Sequence, residues 1–165
     1  MHDNAANTDS PANTGTPSRT SVFLAWSDDS RAIATALKEL LLATGGDRVD
    51  PFHSDDMEDA DPWRDQIKKA VARSQVAVLS MVPASLDSTW LMYEAGAFFE
   101  GGDTFLLACG VDSEGLKNTP LEAFQLKDAR NRKAVHGLAR KLVKPPAAES
   151  EAFDKAFDAL SLIHI

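Results

Sequence analysis

Apolar and polar positions along this chain alternate between short buried runs and longer periodic ones. Ser21–Val22–Phe23–Leu24–Ala25–Trp26 is almost continuously apolar, as a strand covered on both faces must be. Val76–Ala77–Val78–Leu79–Ser80–Met81–Val82 is the plainest strand, because it is β-branched as well as apolar. Phe105 to Val111 predicts another buried strand, Asp47 to Phe52 a short one, and Leu121 to Leu126 a brief fifth. Between these runs the apolar residues recur at helical spacing. Ile33, Leu37, Leu40 and Leu41 follow the N-cap cluster Ser27–Asp28–Asp29–Ser30. Trp63, Ile67, Ala70 and Val71 follow Asp61–Pro62, an N-cap with proline at the first helical position. A third helix is predicted over 88–100 and ends at Gly101–Gly102, as the first ends at Gly45–Gly46. A fourth, capped by Asp128, carries Val135, Leu138, Ala139 and Leu142 on one face, with His136 turned to solvent.

Buried strands alternating with helices require parallel pairing and helices on both sides of the sheet. The predicted fold class is therefore α/β: a flavodoxin-like three-layer sandwich with a parallel sheet of about five strands in the order 2-1-3-4-5. In such sheets ligands bind beyond the C-terminal strand ends, where the strand order reverses. That point lies between the first and third strands, near Trp26–Ser27 and Ser80. The domain spans 21–144. Residues 1–20, polar and rich in Pro, Asn and Thr, read as a disordered leader without an apolar signal core. Residues 145–165 read as a linker opened by Pro145–Pro146 and an amphipathic helix carrying Phe153, Phe157 and Leu160.

Composition narrows the function. The net charge of -8 speaks against nucleic acid or an anionic membrane as partner, since both need a basic footprint. No apolar run approaches the ~18 residues of a membrane span. The single cysteine, Cys109, lies in an apolar run, which suggests a reducing, cytoplasmic compartment and excludes an internal disulfide. His53 and the other histidines are scattered without metal-ligand spacing, so no metal is expected. No Ser-His-Asp set or glycine-rich phosphate loop is present.

One residue stands out. Between Asp87 and Glu100 the only charge is Glu94, in a segment apolar almost all the way round. A carboxylate in such a helix is costly unless it is paired or opens onto a cleft. Leu91, Ala95 and Phe98 share one helical face, expected toward the sheet. Trp90, Glu94 and Ala97 share another, which puts an aromatic ring one turn before the carboxylate. Two readings stand at this point. Glu94 pairs with an Arg or Lys and is structural, or it is a catalytic carboxylate of the kind that stabilises an oxocarbenium-like sugar. Ser27 and Arg31, at the start of the first predicted helix, are placed either to meet a phosphate or simply to cap and pair locally. Trp26 is placed either to stack on a ring or to fill the core. Five acids between Asp55 and Asp61 form either a solvated acidic loop or a feature that repels phosphate.

Several segments together resemble the TIR (Toll/interleukin-1 receptor) domain family, over roughly Ser21 to Leu142. Val22–Phe23–Leu24–Ala25–Trp26–Ser27 is similar to its opening strand. Trp63–Arg64–Asp65–Gln66–Ile67 is similar to the helix that follows its second-strand loop. Leu79–Ser80–Met81–Val82–Pro83–Ala84–Ser85–Leu86 is similar to its third-strand motif. Ser88–Thr89–Trp90–Leu91–Met92–Tyr93–Glu94–Ala95–Gly96 is similar to the next helix, with tryptophan four residues before glutamate. The loop before Trp63 departs from the family, having Ala60–Asp61–Pro62 where many bacterial members carry a glycine.

The resemblance implies a bacterial NAD-cleaving domain, with NAD as substrate and no further cofactor. Glu94 would be catalytic, and Trp26, Ser27, Arg31, Trp63, Ser80 and Trp90 would shape the NAD site. It further implies linear or cyclic ADP-ribose as product, activation by homotypic self-association, an effector or sensor partner, and a role in immune signalling or NAD depletion. Two alternatives stand beside it. One is a non-catalytic TIR adaptor, which a buried salt bridge to Glu94 would favour. The other is a nucleoside deoxyribosyltransferase-like enzyme, to which Glu94–Ala95–Gly96–Ala97 is loosely similar.

Overall fold

The computed structural model describes residues 19–53, 63–99, 102–143 and 151–163, with Trp63 and Arg64 described by backbone alone. Five strands form one sheet: β1 (Thr20–Ala25), β2 (Val49–His53), β3 (Val76–Met81), β4 (Asp103–Ala108) and β5 (Gln125–Asp128). All pair in parallel, in the order β2-β1-β3-β4-β5. The helices are α1 (Arg31–Gly45), α2 (Trp63–Arg73), α3 (Thr89–Phe98), α4 (Arg132–Val143) and α5 (Glu151–Ser161). This is the predicted flavodoxin-like sandwich. Among the described residues no helix is long and apolar enough to cross a membrane, and no three His, Cys, Asp or Glu side chains cluster to hold a metal ion.

Strand alternation divides the core into two layers. Val22, Leu24, Val78, Phe105 and Leu107 point to α1, α4 and α5. Phe23, Ala25, Ala77, Leu79, Met81 and Leu106 point to α2 and α3. The central strands are buried on both faces, which is why they read as continuous apolar runs. Pro51 sits within β2, an edge strand, where a residue lacking an N–H costs no ladder bond on its outer side. At the end of α1, Gly46 adopts φ 51° and donates its N–H to the Leu42 carbonyl. A Cβ on the preceding Gly45 would lie 2.5 Å from Val49 Cγ1, so the glycine there lets α1 close onto β2.

Four expectations shift. The fifth strand is Gln125–Asp128 rather than Leu121–Leu126; Pro120–Ala123, with proline at its first turn, forms a 3-10 turn capped by Thr119. The fourth strand begins at Asp103 and ends at Ala108, before Gly110 with its φ of 77°. Asp128 closes β5 and caps a turn through Arg130 N–H at 2.9 Å, while Asn131 caps α4 through Ala134 N–H at 3.1 Å. His136 packs edge-on against Phe153, its ring centre 5.0 Å away, rather than facing solvent. This last shift follows from α5, whose Phe153, Phe157 and Leu160 complete the α1/α4 layer of the core. The C-terminal helix is thus part of the folded unit.

Candidate active site

The helix carrying Glu94 starts where Ser88 accepts a hydrogen bond from Leu91 N–H at 3.2 Å. It lies over the sheet layer built by Phe23, Leu79 and Leu106. Leu91, Ala95 and Phe98 face that layer, as their spacing predicts. Glu94 is buried with them, at 0% exposure. Trp90, by contrast, is 38% exposed and Ala97 half-buried. The Trp90 ring does lie one turn before the carboxylate, close enough to act on it, but the carboxylate itself is buried while the ring borders the surface.

Neither Glu94 oxygen has a hydrogen-bond partner of normal geometry among the described residues, and no ion pair among them involves it. Burial raises its pKa from 4.5 to about 8. The nearby Trp90 indole opposes this by favouring the charged form, and desolvation outweighs it. A buried carboxyl whose proton is held near neutral pH is a common signature of a functional site.

The other predicted site residues fall in three places. Trp26 is 8% exposed at the end of β1, with its indole Nε1 unpartnered among the described residues. The Arg31 guanidinium lies 4.3 Å from the centre of the Trp26 ring. Ser27 follows, and its hydroxyl contacts Ser30 Oγ at 3.1 Å and Ser85 Oγ at 2.8 Å. These residues surround the switch point between β1 and β3. Ser80 does not share a layer with Glu94. Its parity with Val78 turns it toward α1 and α4, the opposite face of the sheet from α3, and it is fully buried there. Trp63 opens α2, but its side chain lies outside the described residues, as does the acidic loop 55–61.

Ser85 was not singled out from the sequence. It sits in the 3-10 turn Pro83–Asp87 after β3, fully buried. The available signal was a small polar residue between Pro83 and Leu86, in a connection that had to return to the sheet. A groove of about 680 Å³ runs beside the site. Ala95, Gly96 and Phe99 of α3 line one side, and Pro120, Ala123 and Phe124 line the other. Glu94 does not reach it.

The sequence profile described as "TIR domain" matches residues 22–143, from the first strand through the end of α4. The chain belongs to the TIR domain family. A solved structure similar to it is that of the activated Roq1 resistosome directly recognizing the pathogen effector XopQ, in its TIR domains. Identity is 20%, with 86% of this chain and 81% of that chain covered and a TM-score of 0.48. No curated protein matches the chain. In this TIR domain the match ends with α4, and α5, beyond it, contributes Phe153 to the core.

Proposed function

We propose that this TIR domain cleaves the nicotinamide–ribose bond of NAD, with Glu94 as the working carboxylate. The observation that carries the reading is the state of Glu94: fully buried, unpaired among the described residues, and titrating at about 8. A structural glutamate would be expected to have its charge compensated. Cleavage breaks the C1′–N1 bond, and the electron pair leaves with the nicotinamide nitrogen. The ribosyl cation that remains is stabilised by the ionised Glu94. Water then attacks C1′ and loses a proton, which gives ADP-ribose; capture by the adenine ring gives the cyclic product. The cationic nicotinamide ring of NAD favours ionisation of Glu94 as it approaches, because an opposite charge lowers a carboxyl pKa. Trp90, bordering the surface one turn away, and the Trp26–Arg31 pair would hold the substrate.

Complete burial has a consequence for regulation. No substrate touches a side chain at 0% exposure, so this conformation is a resting one. Catalysis then requires the cover over Glu94 to open. Self-association with other TIR domains, in an immune-signalling or NAD-depleting role, would supply that opening. The same burial favours a second reading, a non-catalytic TIR adaptor. Nicotinamide release from NAD by concentrated protein, beside Glu94→Gln and Glu94→Ala, decides between them. Release by wild type and by neither variant supports the enzyme. No release at any protein concentration, or with crowding agents, supports the adaptor. Equal release by the variants removes Glu94 from the site.

A further inference from the structure

The connections after β1 and β3 are joined by a contact between two hydroxyl groups. Ser27 Oγ and Ser85 Oγ lie 2.8 Å apart, across a separation of 58 residues in sequence. On the β1 side, Ser30 Oγ contacts Ser27 Oγ at 3.1 Å and accepts the Ser27 N–H at 2.9 Å. On the β3 side, Ser85 Oγ accepts the Val82 N–H at 3.1 Å. The Ser85 carbonyl then accepts the Ser88 N–H at 3.1 Å, and Ser88 Oγ caps α3. Glu94 lies three residues beyond Leu91, the residue capped. The Ser27, Ser30 and Ser85 hydroxyls are buried, so water does not compete for the bonds among them.

Resting on the NAD-cleaving reading, we propose that Ser85 is a positioning residue: through Ser27 it fixes the Trp26–Arg31 end of β1 relative to the start of α3. The chain of bonds runs from the residue after Trp26 to the cap of the helix that bears Glu94. It crosses the crevice between β1 and β3, where a doubly wound sheet ordinarily admits ligand. Here Ser27 and Ser85 bridge that crevice, and the site is set by where they hold its two sides. Removing the Ser85 hydroxyl leaves the Val82 N–H without its acceptor and Ser27 with Ser30 alone, so the 3-10 turn Pro83–Asp87 and the helix after it lose their fixed distance from β1.

The test compares Ser27→Ala, Ser85→Ala and the double variant. The control is Ser74→Ala, whose hydroxyl bonds the Ala70 carbonyl in the helix that ends just before it, away from this link. In nicotinamide release, each site variant is expected to lose about tenfold in kcat with KM within about twofold, because misplaced groups cost rate more than binding. The double variant should be no worse than the poorer single one, since each single change already breaks the shared Ser27–Ser85 bond. Unchanged kcat, additive losses, or an equal loss in Ser74→Ala would overturn the proposal. Indole N–H resonances give a readout free of activity: Ser85→Ala should shift both Trp26 and Trp90, and a shift of Trp90 alone or of neither overturns it. If wild type releases no nicotinamide, the enzymatic reading falls, and these spectra alone decide whether Ser85 links the two sides. Ser85→Cys carries the same comparison if the alanine variant fails to fold.

Discussion

Replacing Glu94 by glutamine should stabilise the domain, and increasingly so as pH rises. Folded Glu94 titrates at about 8, against 4.5 for the free side chain. Its folded-state pKa is raised, so the folded protein holds a proton that the unfolded chain has already released between these values. The resulting stability is fully present below pH 4.5 and is lost progressively as pH rises to about 8. At about 1.36 kcal/mol per pH unit, the gap amounts to roughly 5 kcal/mol. That is an upper figure, because α3 can relax or admit water once the carboxylate ionises. Glutamine has the same shape and no charge to bury, so it escapes the loss. For a domain of this size the difference corresponds to roughly 10–20 °C in Tm. Thermal unfolding of both proteins from pH 5 to pH 9 is the assay. Taking the difference at each pH cancels the titration of all other groups, including the excess of acids behind the net charge of -8. The two should nearly coincide at pH 5 and separate steadily up to pH 8. A constant difference across the range would refute the reasoning. Wild type gaining on the variant with pH would show that Glu94 is ionised and paired within the fold.

The same proton governs the proposed chemistry: kcat/KM for nicotinamide release should rise about tenfold per pH unit below pH 8 and level off above it. A flat or falling profile over that range would exclude ionised Glu94 as the working form. The C-terminal helix should be indispensable, since Phe153 is fully buried in the α1/α4 layer. Phe153→Ala should cost about 3–5 kcal/mol in urea unfolding, and a loss below about 1 kcal/mol would mean α5 is only loosely attached.

The strands and helices of this protein are written in local pattern. Continuous apolar runs at β1, β3 and β4 fitted strands covered on both faces, and their alternation with 3.6-periodic segments implied parallel pairing. The unusual character of Glu94 was equally local, because a single charge in an apolar helix needs no tertiary information to be noticed. Boundaries set by turn chemistry were less legible. At 120–128 the apolar residues Leu121 and Leu126 suit either a 3-10 turn or a strand, and pairing with β4 decides for Gln125–Asp128.

Which side chains meet was decided by tertiary structure alone. Nothing in the chain sets Ser27 beside Ser85; the adjacency of β1 and β3 does, since parallel neighbours bring their following turns together at one sheet end. Ser80, by contrast, is near in sequence to the expected site but turned to the other layer by the two-residue period of its strand. The inward rotation of Glu94 depended on how α3 rolls against Phe23 and Leu79, a packing choice shared among several elements. The amino-acid pattern determined that one carboxylate would be buried in a parallel α/β sandwich. Only the assembled layers determined that it would be buried without an ion pair among the described residues, and hence that its proton would be held near neutral pH.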